Sequence, residues 1–257
     1  MSKLRPEQDA FGAAMYDCLR GHSGWEIVER DDGYISSSAG PEAYFKQYED
    51  WSERQRKAIA LARGRVLDIG CGAGRVLLHL QGRGLAAVGI DVSPLAVKVC
   101  RLRRARQVLR MSLTQLSRRL GVFDTVVMFG ANFGLVGNPR RARWVLRRLH
   151  AMTSDDARIL AEGHDPYPRP GAPRRPGDRQ HLAYHAANRA AGRMSGQVRI
   201  RIRYQRYATP YFEWLLLSRE ELRRIVVGTG WRVARIIESK PPGSVYVAVL
   251  EKQESAG

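Results

Sequence analysis

Long hydrophobic runs are absent from this sequence of 257 residues. The longest weakly charged run, residues 122–136, contains Asp124 and Asn132 and falls short of the roughly 20 apolar residues that a membrane-spanning helix needs. Residues 1–6 carry Lys3 and Arg5 and are not followed by the apolar stretch of a secretory signal. We therefore expect a cytoplasmic protein with no membrane partner.

Cysteine is also scarce. The chain contains Cys18, Cys71 and Cys100, an odd number without metal-like spacing, which argues against a disulfide framework and a zinc site. His181 and His185 lie one helical turn apart, a spacing that suits a metal, but no third ligand accompanies them. We interpret them as part of a solvated helix face and expect no metal.

Acidic residues are outnumbered, since 43 Lys and Arg face 25 Asp and Glu for a net charge of +18. Such a balance is compatible with nucleic acid, an anionic surface or an acidic substrate. However, only 6 of the 43 basic residues are lysine. A strong bias toward arginine is typical of codon usage in a GC-rich genome, so we interpret much of the charge as surface composition. A hydrophobic content of 44% excludes a disordered chain.

Short β-branched runs alternate with amphipathic runs from residue 65 onward, which predicts parallel strands joined by helical crossovers. The predicted strands cover residues 65–69, 86–90, 107–111, 123–129, 157–161, 231–237 and 245–250. The predicted helices between them cover residues 75–81, 94–104, 114–120, 138–151 and 218–228. The fold class is α/β, a Rossmann-like seven-stranded, mostly parallel sheet with an antiparallel last strand, helices on both faces and an antiparallel β insertion.

Two segments fall outside this alternation. We expect residues 1–50 to form a helical lid segment and residues 51–163 to form the core. Prolines interrupt the pattern after Gly163, and residues 164–217 are predicted to be the insertion, with residues 218–257 completing the core. Within the insertion, residues 198–204 alternate as a strand, with residues 211–217 as its antiparallel partner.

The most informative stretch is a buried strand that runs directly into Gly70-Cys71-Gly72-Ala73-Gly74 and then into a helix. Alternate glycines let the backbone turn tightly and approach a ligand, which helix-start N–H groups then face. Asp68 precedes the first glycine by two residues, and the second strand ends at Asp91, whose carboxylate can accept both hydrogen bonds of a ribose diol. These features predict a nucleotide-like ligand.

From these motifs, roughly residues 44–252 resemble the class I S-adenosylmethionine-dependent methyltransferases of the bacterial, small-molecule type. The stretch Gly89-Ile90-Asp91-Val92-Ser93-Pro94 is similar to the second-strand motif of that family, and the terminal helix and hairpin are similar to its last strands. The third strand departs from the family, since Arg110-Met111-Ser112-Leu113 lacks the usual acid near the adenine. Ser112 is a substitute contact or only a helix cap.

The resemblance implies S-adenosyl-L-methionine as cofactor, with the cofactor-binding residues Tyr48, Asp68, Gly70, Cys71, Gly72, Gly74, Asp91, Val92, Ser112, Leu113 and Phe129. Tyr48 belongs to an aromatic run, Tyr44, Phe45, Tyr48 and Trp51, that forms either a lid or core packing. Candidate catalytic residues that orient or polarise the acceptor are Asn132, His164 and Tyr167.

The function implied is transfer of a methyl group to a nitrogen or oxygen atom of a small molecule or peptide, in secondary metabolism, by a monomer or homodimer. An RNA methyltransferase is the alternative, and a cofactor-binding regulatory domain is a third reading. In this family the insertion builds the acceptor pocket. Its face with Arg199, Arg201 and Arg203 is interpreted as solvated, with an acidic small molecule, a leader peptide or a phosphate backbone as alternative partners.

Overall fold

The computed structural model describes residues 4–22, 24–167, 177–240 and 243–253. The N-terminal part contains two helices and a β-hairpin, α1 (Ala10–Leu19), β1 (Ile27–Arg30), β2 (Ile35–Ser37) and α2 (Glu53–Ile59). The core alternates strand and helix as β3 (Arg65–Ile69), α3 (Arg75–Gly82), β4 (Ala86–Asp91), α4 (Pro94–Leu102), β5 (Val108–Arg110), β6 (Phe123–Met128), α5 (Pro139–Ala151) and β7 (Thr153–His164).

The insertion and the C-terminal part complete the chain. The insertion contains α6 (Asp178–Ala190), β8 (Gln197–Tyr204), β9 (Tyr207–Ala208) and β10 (Phe212–Leu215). The C-terminal part contains α7 (Arg219–Val226), β11 (Trp231–Ile237) and β12 (Val245–Lys252). Short 3-10 helices cover Pro6–Gln8, Pro41–Tyr44, Tyr48–Asp50, Leu113–Gln115, Arg118–Leu120 and Asn132–Val136. In the parts of the chain described here, no helix is long and apolar enough to cross a bilayer.

The larger sheet has seven strands in the order β5-β4-β3-β6-β7-β12-β11. Strands β3 to β7 pair in parallel, whereas β12 pairs antiparallel with both β7 and β11 and so runs opposite to the rest. Helix α5 packs on one face through Val145 and Leu149, and α3 packs on the other through Leu77 and Leu80. The predicted Rossmann-like fold with helices on both faces is confirmed.

Two core elements differ from the predicted ones. Residues 114–120 form two short 3-10 turns instead of a helix, because Leu116 adopts an extended backbone that places its side chain fully in the core. Strand β7 extends to both sides of the predicted 157–161, because β6 and β12 flank it and give its backbone partners. The prolines at positions 168, 170, 173, 176, 241 and 242 lie outside the described residues.

A second, antiparallel sheet combines the insertion with the N-terminal hairpin. Its order is β10-β8-β1-β2, with β9 pairing on β8. The prediction of an antiparallel β insertion is confirmed. The N-terminal segment, which was expected to be helical, contains the helix α1 but also the strands β1 and β2. The Asp32-Gly33 turn between them, with Gly33 at φ +86°, is a hairpin signal that flanking strands this short obscured.

Helix α1 lies between the two sheets. Its alanines, Ala10, Ala13 and Ala14, pack against Ile202 and Tyr204 of β8. Its next residue, Met15, packs against the glycine loop at Ala73 and against α4 at Ala96 and Val99. The N-terminal segment is therefore part of the packed body, and its action as a lid stays a prediction.

Glu29 on β1 accepts hydrogen bonds from three side chains of the insertion. Its carboxylate accepts hydrogen bonds from Arg201 (2.7 and 3.0 Å), from Arg203 (3.2 Å) and from the hydroxyl of Tyr211 (2.8 Å). The hydrogen bonds from Arg201 and then Tyr211 lower the pKa of Glu29 to about 2 from an ordinary value near 4.5. This carboxylate joins the N-terminal hairpin to the insertion by charge as well as by strand pairing.

We predict that Glu29→Gln lowers the melting temperature at neutral pH. Because the pKa of Glu29 is depressed in the folded state, its stabilisation is complete above about pH 4.5 and is lost as the pH falls toward 2. The difference from the unmodified protein should therefore hold from pH 7 to pH 5 and shrink in more acidic buffer. Glu251→Gln removes a pair with Arg232 at the edge of the larger sheet and is the matched control. Equal effects of the two variants at all pH values would contradict the role of Glu29.

Candidate functional site

A cavity of about 710 Å³ lies where β3, β4 and β6 end. The order of the sheet changes direction at β3, which neighbours β4 on one side and β6 on the other, and open α/β sheets bind ligands at such a crevice. The N-terminal part covers the cavity with Phe11, Met15 and Tyr44, and the insertion covers it with residues 209–214. Three parts of the chain that are distant in sequence thus line one cavity.

The glycine loop after β3 forms one wall of the cavity. Gly70, Gly72 and Gly74 all have positive φ, at +71°, +54° and +81°. A Cβ at Gly70 would lie 2.4 Å from Nδ2 of Asn132, whereas a Cβ at Gly72 would find its nearest neighbour at 3.6 Å. Gly70, Cys71 and Gly72 line the cavity, while Gly74 starts α3 behind it, where a Cβ would meet Sγ of Cys100 at 2.9 Å.

Asp68 is a buried carboxylate at the base of this loop. Its side chain lines the cavity although the residue is only 2% exposed, and its Oδ2 has no hydrogen-bond partner among the described residues. Burial raises the pKa of Asp68 to about 7, while the positive charge of Arg75 opposes the shift. A buried oxygen without a partner next to a cavity is a ready acceptor for a bound ammonium group or hydroxyl.

Asp91 faces the same cavity from the end of β4. Its Oδ2 accepts a hydrogen bond from N of Gly72 (3.0 Å), and its Oδ1 accepts one from N of Ser93 (2.9 Å). Burial raises the pKa of Asp91, while these two backbone hydrogen bonds oppose the shift. Each oxygen retains a free lone pair, so the carboxylate is fixed in position and can still accept from a diol.

The other expected contacts of the cofactor line the cavity with one clear exception. Val92, Ser112, Leu113 and Phe129 all belong to its wall. The hydroxyl of Ser112 accepts from N of Thr114 at 3.3 Å and caps a 3-10 helix, the second of its two predicted uses. Tyr48 is not part of the wall, because its ring stacks on His79 with a centroid distance of 4.4 Å. Tyr44 of the same aromatic run lines the cavity instead.

Residues 66–156 match the family of sequences described as "Methyltransferase domain". The match covers the central part of the chain, which therefore contains a methyltransferase domain. The fold of the chain is that of solved S-adenosylmethionine-dependent methyltransferases.

The chain is also similar to individual proteins. A Geobacillus sp. (strain WCH70) protein that bears the name of a methyltransferase is 25% identical over 108 residues, which cover 40% of this chain and 43% of that protein. The alignment thus spans less than half the length of this curated relative. An S-adenosylmethionine-dependent methyltransferase from Bacteroides fragilis, solved with S-adenosyl-L-homocysteine, is 24% identical, with 98% of each chain covered and a TM-score of 0.80.

A sugar N-methyltransferase from Streptoalloteichus sp. ATCC 53650 is more distant. It is 14% identical, with 83% of this chain and 92% of that chain covered and a TM-score of 0.52. At these identities the two solved structures establish a shared fold and nothing more about this chain.

Asn132 lies in the wall of the cavity, but its side chain is largely used within the protein. Its Nδ2 donates to the backbone carbonyls of Ile69 (3.1 Å) and Gly70 (2.9 Å). Because both donors of the amide hold the glycine loop, the described contacts of Asn132 position that loop, and its action on the acceptor stays a prediction. Only Oδ1 is left to meet a bound molecule.

His164 and Tyr167 were predicted to act on the acceptor, and neither lines the cavity. The backbone carbonyl of His164 accepts from N of Leu217 at 2.9 Å, where the insertion rejoins the core. The hydroxyl of Tyr167 donates to Oε1 of Glu221 at 2.7 Å, on the helix α7. His164 is the last residue of β7 and Tyr167 follows it, and β7 lies beyond β6 from the crevice. The catalytic assignment of this pair stays a prediction, which the cavity wall formed by the described residues does not support.

A functional residue that the pattern did not reveal is Glu162 on β7, which is 2% exposed. Its Oε2 accepts from N of Gly130 (2.5 Å) and from Nε2 of Gln55 (2.8 Å), and its Oε1 accepts from Nε of Arg54 (3.3 Å). The carboxylate therefore fixes the exit of β6 next to the cavity and ties it to α2. A single acid inside the apolar stretch 159–163 was the available signal.

The left-handed turn at Gly70 can be tested by Gly70→Ala. We expect a loss of stability that exceeds that of Gly84→Ala, since a Cβ at Gly84, also at positive φ (+79°), would meet nothing within 4 Å. The control variant Gly84→Ala should lose only the roughly 1–2 kcal/mol that a left-handed backbone costs a residue with a Cβ. In Gly70→Ala the new Cβ would also displace Asn132, which should increase the loss of unfolding free energy by about 1–3 kcal/mol, measured by urea unfolding. Equal losses would show that the close approach of Asn132 is unimportant.

Proposed function

We propose that this chain transfers the methyl group of S-adenosyl-L-methionine to a nitrogen or oxygen atom of a small molecule, in a step of secondary metabolism. The observation that carries the proposal is the unpartnered oxygen of Asp68 beside the glycine turn, with Asp91 across the same cavity. A nucleoside that also bears an amino acid matches this pair, because Asp68 can accept from its ammonium group and Asp91 from its ribose hydroxyls.

Bound S-adenosyl-L-methionine would supply an electrophilic methyl group on a sulfonium for direct displacement by a lone pair of the acceptor, with the bonding pair of the C–S bond left on sulfur. The residues of this chain hold the two molecules in line and keep water out, which is the main requirement of a direct displacement. An acceptor amine that is uncharged before the attack loses its proton to solvent afterwards, and no catalytic base is then needed.

Two observations favour a small acceptor over RNA. The cavity is covered on two sides, by residues of the N-terminal part and by residues 209–214 of the insertion. In addition, Arg201 and Arg203, which the RNA alternative would use, are paired with Glu29. The Streptoalloteichus protein of the same fold, named as a sugar N-methyltransferase, is an analogy for a small acceptor and does not identify the acceptor here.

Calorimetry with S-adenosyl-L-homocysteine tests the proposal directly. We expect binding by the unmodified protein and no comparable binding of NAD. Asp91→Ala should weaken the affinity by about 1.5–3 kcal/mol, because charge-assisted hydrogen bonds are lost. Asp124→Ala is the control, since Asp124 accepts a backbone hydrogen bond from Arg65 (2.7 Å) at the opposite end of β3. Binding of NAD without binding of S-adenosyl-L-homocysteine would overturn the proposal.

The affinity should also depend on pH through Asp68. Its pKa is about 7 and should fall when an ammonium group binds, so binding releases a proton below that pH. We expect the affinity for S-adenosyl-L-homocysteine to decrease as the pH is lowered from 7.5 to 5.5. Asp68→Asn should bind more weakly at neutral pH and lose this dependence. An unchanged pH profile in the variant would exclude Asp68 as the group that titrates.

A further inference from the structure

The wall of the cavity that the insertion contributes differs in charge from the wall that the glycine loop contributes. Arg199 of β8 and Arg141 of α5 both line the cavity, together with Tyr211 and Trp214. In the described parts of the chain, neither guanidinium takes part in an ion pair. Arg199 instead lies beside the ring of Tyr211, with 5.5 Å between its Cζ and the ring centroid.

Glu213, the acidic side chain of this wall, forms no ion pair with either arginine among the described residues, but it keeps its negative charge because its hydrogen-bond donors are neutral amides, so the three groups together carry one net positive charge. Its Oε2 accepts from Nδ2 of Asn138 (2.7 Å), and its Oε1 accepts from Nε2 of Gln197 (3.3 Å). Glu213 is nevertheless close to both arginines. It lies opposite Arg199 in the pairing of β10 with β8. A Cβ at Gly137 would be 2.9 Å from Cβ of Glu213 and 3.3 Å from Nη1 of Arg141.

The two neighbouring arginines on the same face of β8 differ from Arg199 because they form ion pairs with a carboxylate. Arg201 and Arg203 share the carboxylate of Glu29, at 2.7 Å and 3.2 Å, and neither lines the cavity. The three arginines of this face all remain accessible to solvent, as expected, but they differ in their partners. Glu29 balances one of the two charges of Arg201 and Arg203, whereas Arg199 lines the cavity together with Arg141 and has no carboxylate partner among the described residues.

We propose that the acceptor molecule carries an anionic group, a carboxylate or a phosphate, which Arg199 and Arg141 bind. Guanidinium groups recognise both anions with paired N–H donors, and the rings of Tyr211 and Trp214 offer a surface for a planar part of the same molecule. This inference rests on the proposed function, because it names the class of acceptor for the same site.

The test measures the affinity of matched probes for the protein saturated with S-adenosyl-L-homocysteine. The probes are 4-hydroxybenzoate, the neutral 4-hydroxybenzamide and the cationic 4-hydroxybenzylamine, and phenyl phosphate distinguishes phosphate from carboxylate. Ligand-observed NMR covers the millimolar range. We expect an anionic probe to bind about tenfold more tightly than the amide, an effect limited by the partial exposure of the arginines.

The variants assign this preference to residues. Arg199→Gln and Arg141→Gln should each reduce it at least threefold, whereas Arg199→Lys, which keeps the charge, should retain most of it. Arg203→Gln is the matched control from the same strand and face, and it should leave the preference unchanged, since Arg203 is committed to Glu29. Unchanged affinity for S-adenosyl-L-homocysteine in each variant shows that the cavity is still folded.

Three results of the probe comparison overturn the inference while the proposed function stands. They are equal binding of the charged and neutral probes, a preference for the amine, and the absence of any binding at millimolar concentration to a protein that binds S-adenosyl-L-homocysteine. A preference that Arg199→Gln and Arg141→Gln leave intact also overturns it. Failure of the proposed function is recognised separately, because S-adenosyl-L-homocysteine itself then does not bind.

Discussion

The left-handed turn that follows β3 is the constraint on which the site depends. Three glycines with positive φ reverse the chain so that Gly72 donates its N–H to Asp91, while the carbonyls of residues 69 and 70 accept from Asn132. The ends of β3, β4 and β6 are thereby tied to one loop. Side chains at Gly70 or Gly74 would collide with Asn132 or Cys100, so glycine is needed there for space as well as for conformation.

The other side of the cavity requires a long-range arrangement. Helix α1 packs against β8 with its alanines and against the glycine loop with Met15, and small residues allow both approaches. Strand pairing of β1 with β8 and the charge cluster around Glu29 then fix the N-terminal hairpin to the insertion. Movement of one cover of the cavity is consequently coupled to the other. If the N-terminal segment acts as a lid, it moves with the second sheet and not as a free arm.

The sequence predicted the regular part of the molecule because each core strand and helix there has its own periodic signal and cap. Ser93, Asn138 and Ser218 cap helices as their positions indicated. The sequence pattern did not predict the strands β1 and β2 within residues 27–37. These strands have only four and three residues, and they are stabilised by pairing with β8, which is far away in sequence. A local pattern is also insufficient to predict that Tyr44, and not Tyr48, lines the cavity. Tyr44 and Tyr48 belong to separate 3-10 turns, so their spacing does not reveal which ring faces the cavity.

The net charge of the chain does not by itself predict which partner it binds. A net charge of +18 and an alternating Arg strand are compatible with a polyanion, but the relevant quantity is how each guanidinium is balanced in the fold. Arg201 and Arg203 form ion pairs with Glu29, and Arg54 forms one with Glu162. The residual positive charge near the cavity therefore comes from side chains that are not conspicuous in the sequence, Arg141 in a helix and Arg199 at one end of its strand. A polyanion would need a continuous basic track, whereas two guanidinium groups at one cavity match a single anionic group.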